Sequence, residues 1–110
     1  MRNDHTYLDY IRERIERVQL YAGEGEDFFR TDPRTQDARL RLMETLADAV
    51  AHLSSDLKAR HTHIHWRQIS DFRNVLAHGY AQIRLDQVWQ AVIHDLPALR
   101  TMVDQELADG

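Results

Sequence analysis

No cysteine occurs among the 110 residues, so the chain has no disulfide framework, no thiolate nucleophile and no cysteine-ligated zinc. That absence fits a reducing compartment. No apolar run approaches the roughly 18 residues expected of a membrane span, and the start, Met1 through His5, lacks the basic and then apolar layout of a signal peptide. The expectation is a soluble, cytoplasmic protein with no membrane association. Excess positive charge is missing as well. A formal net charge of −4 disfavours a protein that coats DNA or RNA nonspecifically, because counterion release rewards a strongly basic surface. A small local RNA site stays compatible with it. Lysine is almost absent: thirteen of the fourteen basic residues are arginine, whose planar fork suits phosphate and carboxylate. The plain reading of most of these arginines is compositional bias on solvated helix faces.

Strand-like alternation is confined to His61-Thr62-His63-Ile64-His65, and there are no internal repeats, low-complexity tracts or domain linkers. A chain of this length buries about 65% of its unfolded surface. One core and a single helical domain over residues 1–110 are therefore expected, with 43% hydrophobic content to build it.

Helical periodicity fills most of the chain. Leu8, Ile11, Ile15, Val18 and Ala22 recur at spacings of three and four, which predicts a first helix over about 5–22. Thr6 with Asp9 forms a possible capping box, and Asp4 is an alternative cap. "GEGE" breaks that helix, and "DFFR" reads as one turn that tucks Phe28 or Phe29 against the core. Asp32 before Pro33 predicts the start of a long second helix, with Ala38, Leu42, Leu46, Ala49, Val50 and Leu53 on its apolar face. Ser54-Ser55-Asp56 marks a break or a recapped short turn. A third long helix is expected from near Trp66, presenting Trp66, Ile69, Phe72 and Leu76 inward until Gly79 lets the chain out. Asp86 can cap a fourth, built on Val88, Trp89, Val92, Leu96, Leu99 and Val103, which Pro97 should kink or divide at Asp95. Met43 and Met102 read as gap-fillers, Trp66 and Trp89 as core, and Tyr7, Tyr10 and Tyr21 as packing at the bundle edge. Four long helices with short connections predict an all-α, up-and-down bundle with short extra helical segments.

The run "RNVLAHGY", residues 73 to 80, places a cation, an imidazole and a phenol together. On a regular helix Arg73 and His78 are about 500° apart around the axis, so one face cannot hold both. If the helix ends at His78, the imidazole can swing off the last turn while the long arginine reaches along the axis toward it. Asn74 shares a face with His78, and Tyr80 follows the terminus. Such a group can cut RNA without a metal. A neutral imidazole takes the proton of a ribose 2′-hydroxyl, and arginine stabilises the five-coordinate phosphorus that follows. A second proton donor is needed, which a symmetric homodimer would supply. The residues alone also permit a structural reading. Arg73 would then pair with Asp71 or with a neighbouring helix, His78 would favour the negative end of its helix dipole, and Tyr80 would pack at the bundle end.

The pattern Arg73-Asn74-x-x-x-His78-x-Tyr80, preceded by "WRQISDF" and followed by "LDQVW" and "DLPALR", closely resembles the HepT toxin family of the HEPN superfamily of helical ribonucleases. "DPRTQDARLRLMETLADAV" resembles that family's second helix, and the likeness extends over nearly the whole chain. The resemblance implies a HEPN-like bundle that dimerises with its motifs in a shared cleft and acts as a metal-independent endoribonuclease needing no cofactor. It implies Arg73 and His78 as catalytic residues, Asn74 as polar support and RNA contact, and Tyr80 as the site of AMPylation by an MntA-type nucleotidyltransferase antitoxin. Together these make up a type VII toxin–antitoxin pair acting on an RNA, either tRNA or mRNA. One departure is visible: His65 stands where relatives commonly have proline before the Trp-Arg pair. The alternative function is a catalytically silent module that binds a nucleotidyltransferase. His61, His63 and His65 could hold a metal as three imidazoles do in catalytic zinc sites, if that segment were extended; the resemblance makes it a loop.

Overall fold

The computed structural model describes residues 2–23, 33–78 and 84–109, which form five helices and, among the described residues, no strand. We number them α1 (Arg2–Ala22), α2 (Pro33–Ala51), α3 (Ser55–Arg60), α4 (Trp66–His78) and α5 (Leu85–Asp109). α2 is the central element: α1 and α4 both pack on it, and α5 packs on α1 and on α2. The all-α bundle of four long helices, with one short helix added, is the architecture the periodicity predicts. Phe28, Phe29, Asp32, Gly79 and Tyr80, singled out in the sequence, lie outside the described residues.

α1 buries Leu8, Ile11, Ile15 and Val18, as its spacing requires. Neither expected cap operates. The helix already begins at Arg2, so Thr6, Asp9 and Asp4 sit inside it. Asp4 instead reaches out to the α2–α3 corner, accepting from the Ser54 backbone N–H at 2.8 Å and from the Ser54 hydroxyl at 2.5 Å. Ser54 in turn caps α3 by accepting from the Leu57 N–H at 3.2 Å, which is the recapped turn expected there.

α2 starts at Pro33 and buries Leu42, Leu46, Ala49 and Val50, with Leu53 just beyond its end. Ala38, expected on that face, is exposed, and its neighbour Arg39 is buried in its place. The arginine turns inward because the interior offers it partners. Its Nη2 donates to the Tyr21 carbonyl at 2.6 Å, and its guanidinium carbon lies 4.6 Å from the centre of the Trp89 ring. One side chain thus ties the end of α1 to α2 and α5. Met43 and Met102 are fully buried, as gap-fillers should be.

α4 runs from Trp66 to His78, as read from the sequence, with Leu76 buried and Trp66, Ile69 and Phe72 half-buried against the core. The histidine in place of proline does no harm to its start: the His65 carbonyl accepts from the Ile69 N–H at 3.2 Å. Trp66 anchors that start by donating its indole N–H to the carbonyls of Lys58 and His61, at 3.1 and 2.9 Å. The histidine run is not a strand. His61 ends α3 and, largely buried, donates its Nε2–H to Glu106 of α5 at 2.6 Å, whereas His63 and His65 are exposed in the connection to α4.

α5 corrects two expectations. It begins at Leu85 with the Val88 N–H bonded to the Arg84 carbonyl at 3.0 Å, so Asp86 lies within the first turn and not at the capping position before it. It also passes through Pro97 without dividing at Asp95, which removes one of the two outcomes expected there. Proline removes the bond to the carbonyl four residues back, at a cost of about 3 kcal/mol. Leu96 and Leu99, buried on either side of it, hold both halves to the same core and offset that loss. Trp89 and Val103 are buried as expected, Val88 and Val92 half-buried. Tyr7 stacks on His52 with ring centres 4.9 Å apart, and Tyr10 stays partly exposed under the Arg14 guanidinium. No helix among the described residues is long and apolar enough to cross a membrane.

Candidate functional site

Two helices pack side by side and leave an open cleft of about 340 Å³ between their outer faces. α2 lines it with Arg41, Glu44, Thr45 and Asp48; α4 lines it with Arg73, Asn74, Ala77 and His78. The α2 residues recur at helical spacing on the side away from Leu42 and Leu46, so the helix that supplies the core also supplies a polar wall.

The three α4 residues singled out by the sequence therefore share one solvent-open space. Arg73 does not reach along the axis toward His78, however. It crosses to α2, where its Nε and Nη2 both donate to Oδ1 of Asp48, at 3.0 and 2.8 Å. This is the neighbouring-helix pairing that the residues alone permitted; Asp71 is not the partner. The pair is half-exposed, with 41% of the arginine side chain and 52% of the aspartate accessible. The last residue of α4, His78, is exposed and makes no hydrogen bond or ion pair with any described residue. Asn74 is likewise exposed on the cleft wall with its amide unengaged among the described residues. Both side chains are thus available to an incoming molecule.

The charge in the cleft is balanced. Arg41 and Arg73 face Glu44 and Asp48, and the Arg41 guanidinium makes no bond to a described residue. The Thr45 hydroxyl donates to carbonyls of its own helix, to Arg41 at 3.0 Å or Leu42 at 3.1 Å, and keeps lone pairs free to accept. Arg41, Glu44, Thr45 and Asp48 went unnoticed in the sequence because an acidic and basic face on an amphipathic helix reads as ordinary solvated surface. Only their helical spacing could have pointed to them.

A second concavity, of about 430 Å³, opens between α4 and α5 above a floor of α2. It is mostly apolar, with Ile69 and Phe72 on one wall, Val92 and Leu96 on the other, and the exposed Ala91 and Ala98 at the α5 side. Away from both spaces, Glu106 accepts from Arg60 at 2.7 Å and from His61 at 2.6 Å. The Arg60 hydrogen bond, with the His61 bond behind it, holds the Glu106 carboxyl below its ordinary value, against a smaller opposing effect of burial. Among the described residues no three histidine, aspartate or glutamate side chains converge as a metal-ligand set.

The model of the family described as ribonuclease HepT-like matches residues 11–106, a span that includes both helices of the cleft. A protein of Thermococcus cleftensis named "Probable ribonuclease HepT" is 33% identical over 101 residues, covering 90% of this chain and 91% of its own. A Methanocaldococcus jannaschii protein named "Gamma-glutamylcyclotransferase and putative RNase MJ0434" is 32% identical over 102 residues, which are 91% of this chain but 46% of that protein. This chain therefore spans about half of that relative. A protein of Caldanaerobacter subterraneus named "Putative RNase TTE0752" is 25% identical over 108 residues, 97% of this chain and 96% of its own. No solved structure matches the chain significantly.

Proposed function

Because the chain belongs to the ribonuclease HepT-like family, we propose that its single domain is the toxin of a type VII toxin–antitoxin pair, a metal-independent endoribonuclease of the cytoplasm. The observation that carries this reading is the cleft in which Arg73, Asn74 and His78 stand together, open to solvent at the end of α4. A ribonuclease of this kind needs a base, an anion-stabilising cation and room for a phosphodiester, and that space offers all three.

The His78 imidazole, unengaged among the described residues, takes the proton from a ribose 2′-hydroxyl. The oxygen attacks the adjacent phosphorus, and negative charge gathers on the two equatorial oxygens. Arg73 answers that charge with N–H donors not used by Asp48, and Asn74 holds the sugar or the phosphate. The 5′-oxygen then leaves with a proton, and the 2′,3′-cyclic phosphate remains. The base on one chain has just been protonated by the 2′-hydroxyl, so we assign the donor of the leaving-group proton to His78 of a second copy.

A homodimer also suits the apolar space between α4 and α5, which a second copy would cover while bringing the two clefts together. The polar balance of one cleft adds to this argument: a single Arg73, half-neutralised by Asp48, is a modest phosphate site, and two would be a better one. Regulation follows from the motif tyrosine. A nucleotidyltransferase antitoxin of the MntA type moves AMP from ATP to the phenolic oxygen of Tyr80, with pyrophosphate leaving. Each AMP adds a phosphate's negative charge and bulk two residues along the chain from His78, so repulsion and occlusion of RNA silence the enzyme together.

Cellular RNA incubated with the purified protein in EDTA tests the reading. The wild type should cleave it, and His78→Ala should not. Cleavage that survives the substitution unchanged defeats the assignment. A wild type that is inert yet still binds its nucleotidyltransferase would favour the silent interaction module instead.

A further inference from the structure

Arg73 meets Asp48 in a particular way. The donors are Nε–H and one Nη2–H, at 3.0 and 2.8 Å, and both go to the same carboxylate oxygen, Oδ1. A guanidinium has five N–H groups in a fixed plane. Its side edge, Nε with Nη2, is taken by Asp48. Its end edge, one N–H from Nη1 and the remaining one from Nη2, is left as a parallel pair, which is the geometry that grips two phosphate oxygens at once. An unheld arginine side chain samples many rotamers. Anchored by one edge, it presents the other in a fixed direction.

The anchor is itself well placed. Asp48 stands within α2, three residues before its end, and its backbone carbonyl accepts from His52 Nδ1 at 2.8 Å. Its second carboxylate oxygen lies 3.8 Å from that same nitrogen, beyond hydrogen-bonding distance, and Glu44 and Thr45 share its wall of the cleft. The Arg73–Asp48 pair is about half-exposed on both sides, a setting in which ion pairs add little to stability. A carboxylate beside a phosphate site also works against RNA binding by repulsion. Neither fold nor affinity accounts for it, whereas orientation does.

We propose that Asp48 is the positioning residue of the cleft: Oδ1 fixes the side edge of Arg73 so that the end edge faces the scissile phosphate. This rests on the ribonuclease reading of the same site. Asp48 touches neither substrate nor reacting atoms and acts only through the arginine.

The test compares Asp48→Ala and Asp48→Asn with the wild type in steady-state RNA cleavage, helical content being checked by circular dichroism. Loss of the anchor in Asp48→Ala should lower kcat by roughly 10- to 100-fold, the scale expected when a catalytic group is misplaced by about an ångström. KM should stay level or fall, because a repelling carboxylate has gone. Asp48→Asn keeps an acceptor oxygen and should recover most of the lost kcat. An unchanged or raised kcat in Asp48→Ala overturns the proposal and makes Asp48 a mere counter-ion; so does an asparagine variant as impaired as the alanine one. A second measurement needs no cleavage. In ¹⁵N-labelled protein the Arg73 Nε–H signal should exchange slowly with water in the wild type and Asp48→Asn, and rapidly in Asp48→Ala. A wild type that cuts no RNA refutes the ribonuclease reading, and the exchange measurement still decides whether Asp48 holds the arginine.

Discussion

The carboxylate of Asp4 accepts two hydrogen bonds from Ser54, one from its backbone N–H and one from its hydroxyl, across fifty residues of sequence. Asp4 is buried, and Ser54 is the residue that caps α3. The first turn of the chain therefore closes the corner on which α3, and after it the start of α4, are built.

Removing this contact should cost more than a surface ion pair. A buried hydrogen bond to a charged group is worth about 1.5–3 kcal/mol, and Asp4→Ala also strands the Ser54 N–H. Asp4→Ala is expected to lower unfolding free energy by about 3 kcal/mol in urea titration, with an unchanged slope. Asp4→Asn, which can still accept one bond, should lose about half as much. A loss below about 0.5 kcal/mol for alanine would mean that water replaces the carboxylate at no cost.

What periodicity controls was legible in the sequence, and what partners control was not. Leu8, Ile11, Ile15 and Val18 must face inward on a helix, and Trp66 through His78 must end near a glycine, so α1 and α4 could be drawn from spacing alone. Arg39 could not be placed inside, because its burial depends on a carbonyl at Tyr21 and a ring at Trp89 that come from two other helices. Asp4 offers itself as an alternative cap for the same reason, its true partner being fifty residues away. Division of the helix at Pro97, one of the two outcomes its sequence suggests, rests on a local argument, the loss of one hydrogen bond, while the burial of Leu96 and Leu99 that outweighs it is tertiary. At the cleft, Arg73, Asn74 and His78 stand out as residue types on one helix. The α2 wall, Asp48 above all, becomes visible only once the two helices are side by side.

Acid should loosen the junction of α3 and α5. Glu106 is held below its ordinary carboxyl value of 4.5 first by the Arg60 hydrogen bond and then by His61. A folded-state carboxyl that is lower than its unfolded value stabilises the fold at pH above the unfolded value. That contribution disappears as pH falls through the folded one. Unfolding free energy should therefore decline from about pH 5 downward, and part of the decline should vanish in Glu106→Gln. At neutral pH the glutamine variant should be slightly less stable, since its remaining acceptor oxygen lacks the charge that strengthens the bonds from Arg60 and His61. Parallel pH profiles for the two proteins between pH 5 and 3 would refute this assignment.

Arg41 should contribute binding and not chemistry. It lines the cleft opposite α4, and its guanidinium makes no bond to a described residue, so it can meet a phosphate without first leaving a partner. Arg41→Ala is expected to raise KM for RNA several-fold at low salt and to leave kcat within a factor of about two. One fewer phosphate contact should also make the logarithmic dependence of affinity on salt shallower by about 0.7, the value for single strands. An unchanged salt slope would remove Arg41 from the RNA path.

The apolar space between α4 and α5 offers a way to separate dimerisation from folding. Most of its lining also supports the core, and substitution of Ile69, Phe72 or Leu96 would damage both. Ala91 is different: it lies on the α5 side of the opening and is exposed in the single chain, so a larger side chain there meets solvent in the monomer. Ala91→Arg should leave the melting temperature of the isolated chain nearly unchanged while placing a long cation in the face that a second copy would cover. If His78 of one copy must protonate the leaving oxygen released by the other, the variant should become monomeric by light scattering and lose RNA cleavage in step. A variant that stays dimeric moves the interface elsewhere. One that is monomeric and still cleaves at the wild-type rate shows that a single cleft carries both proton transfers.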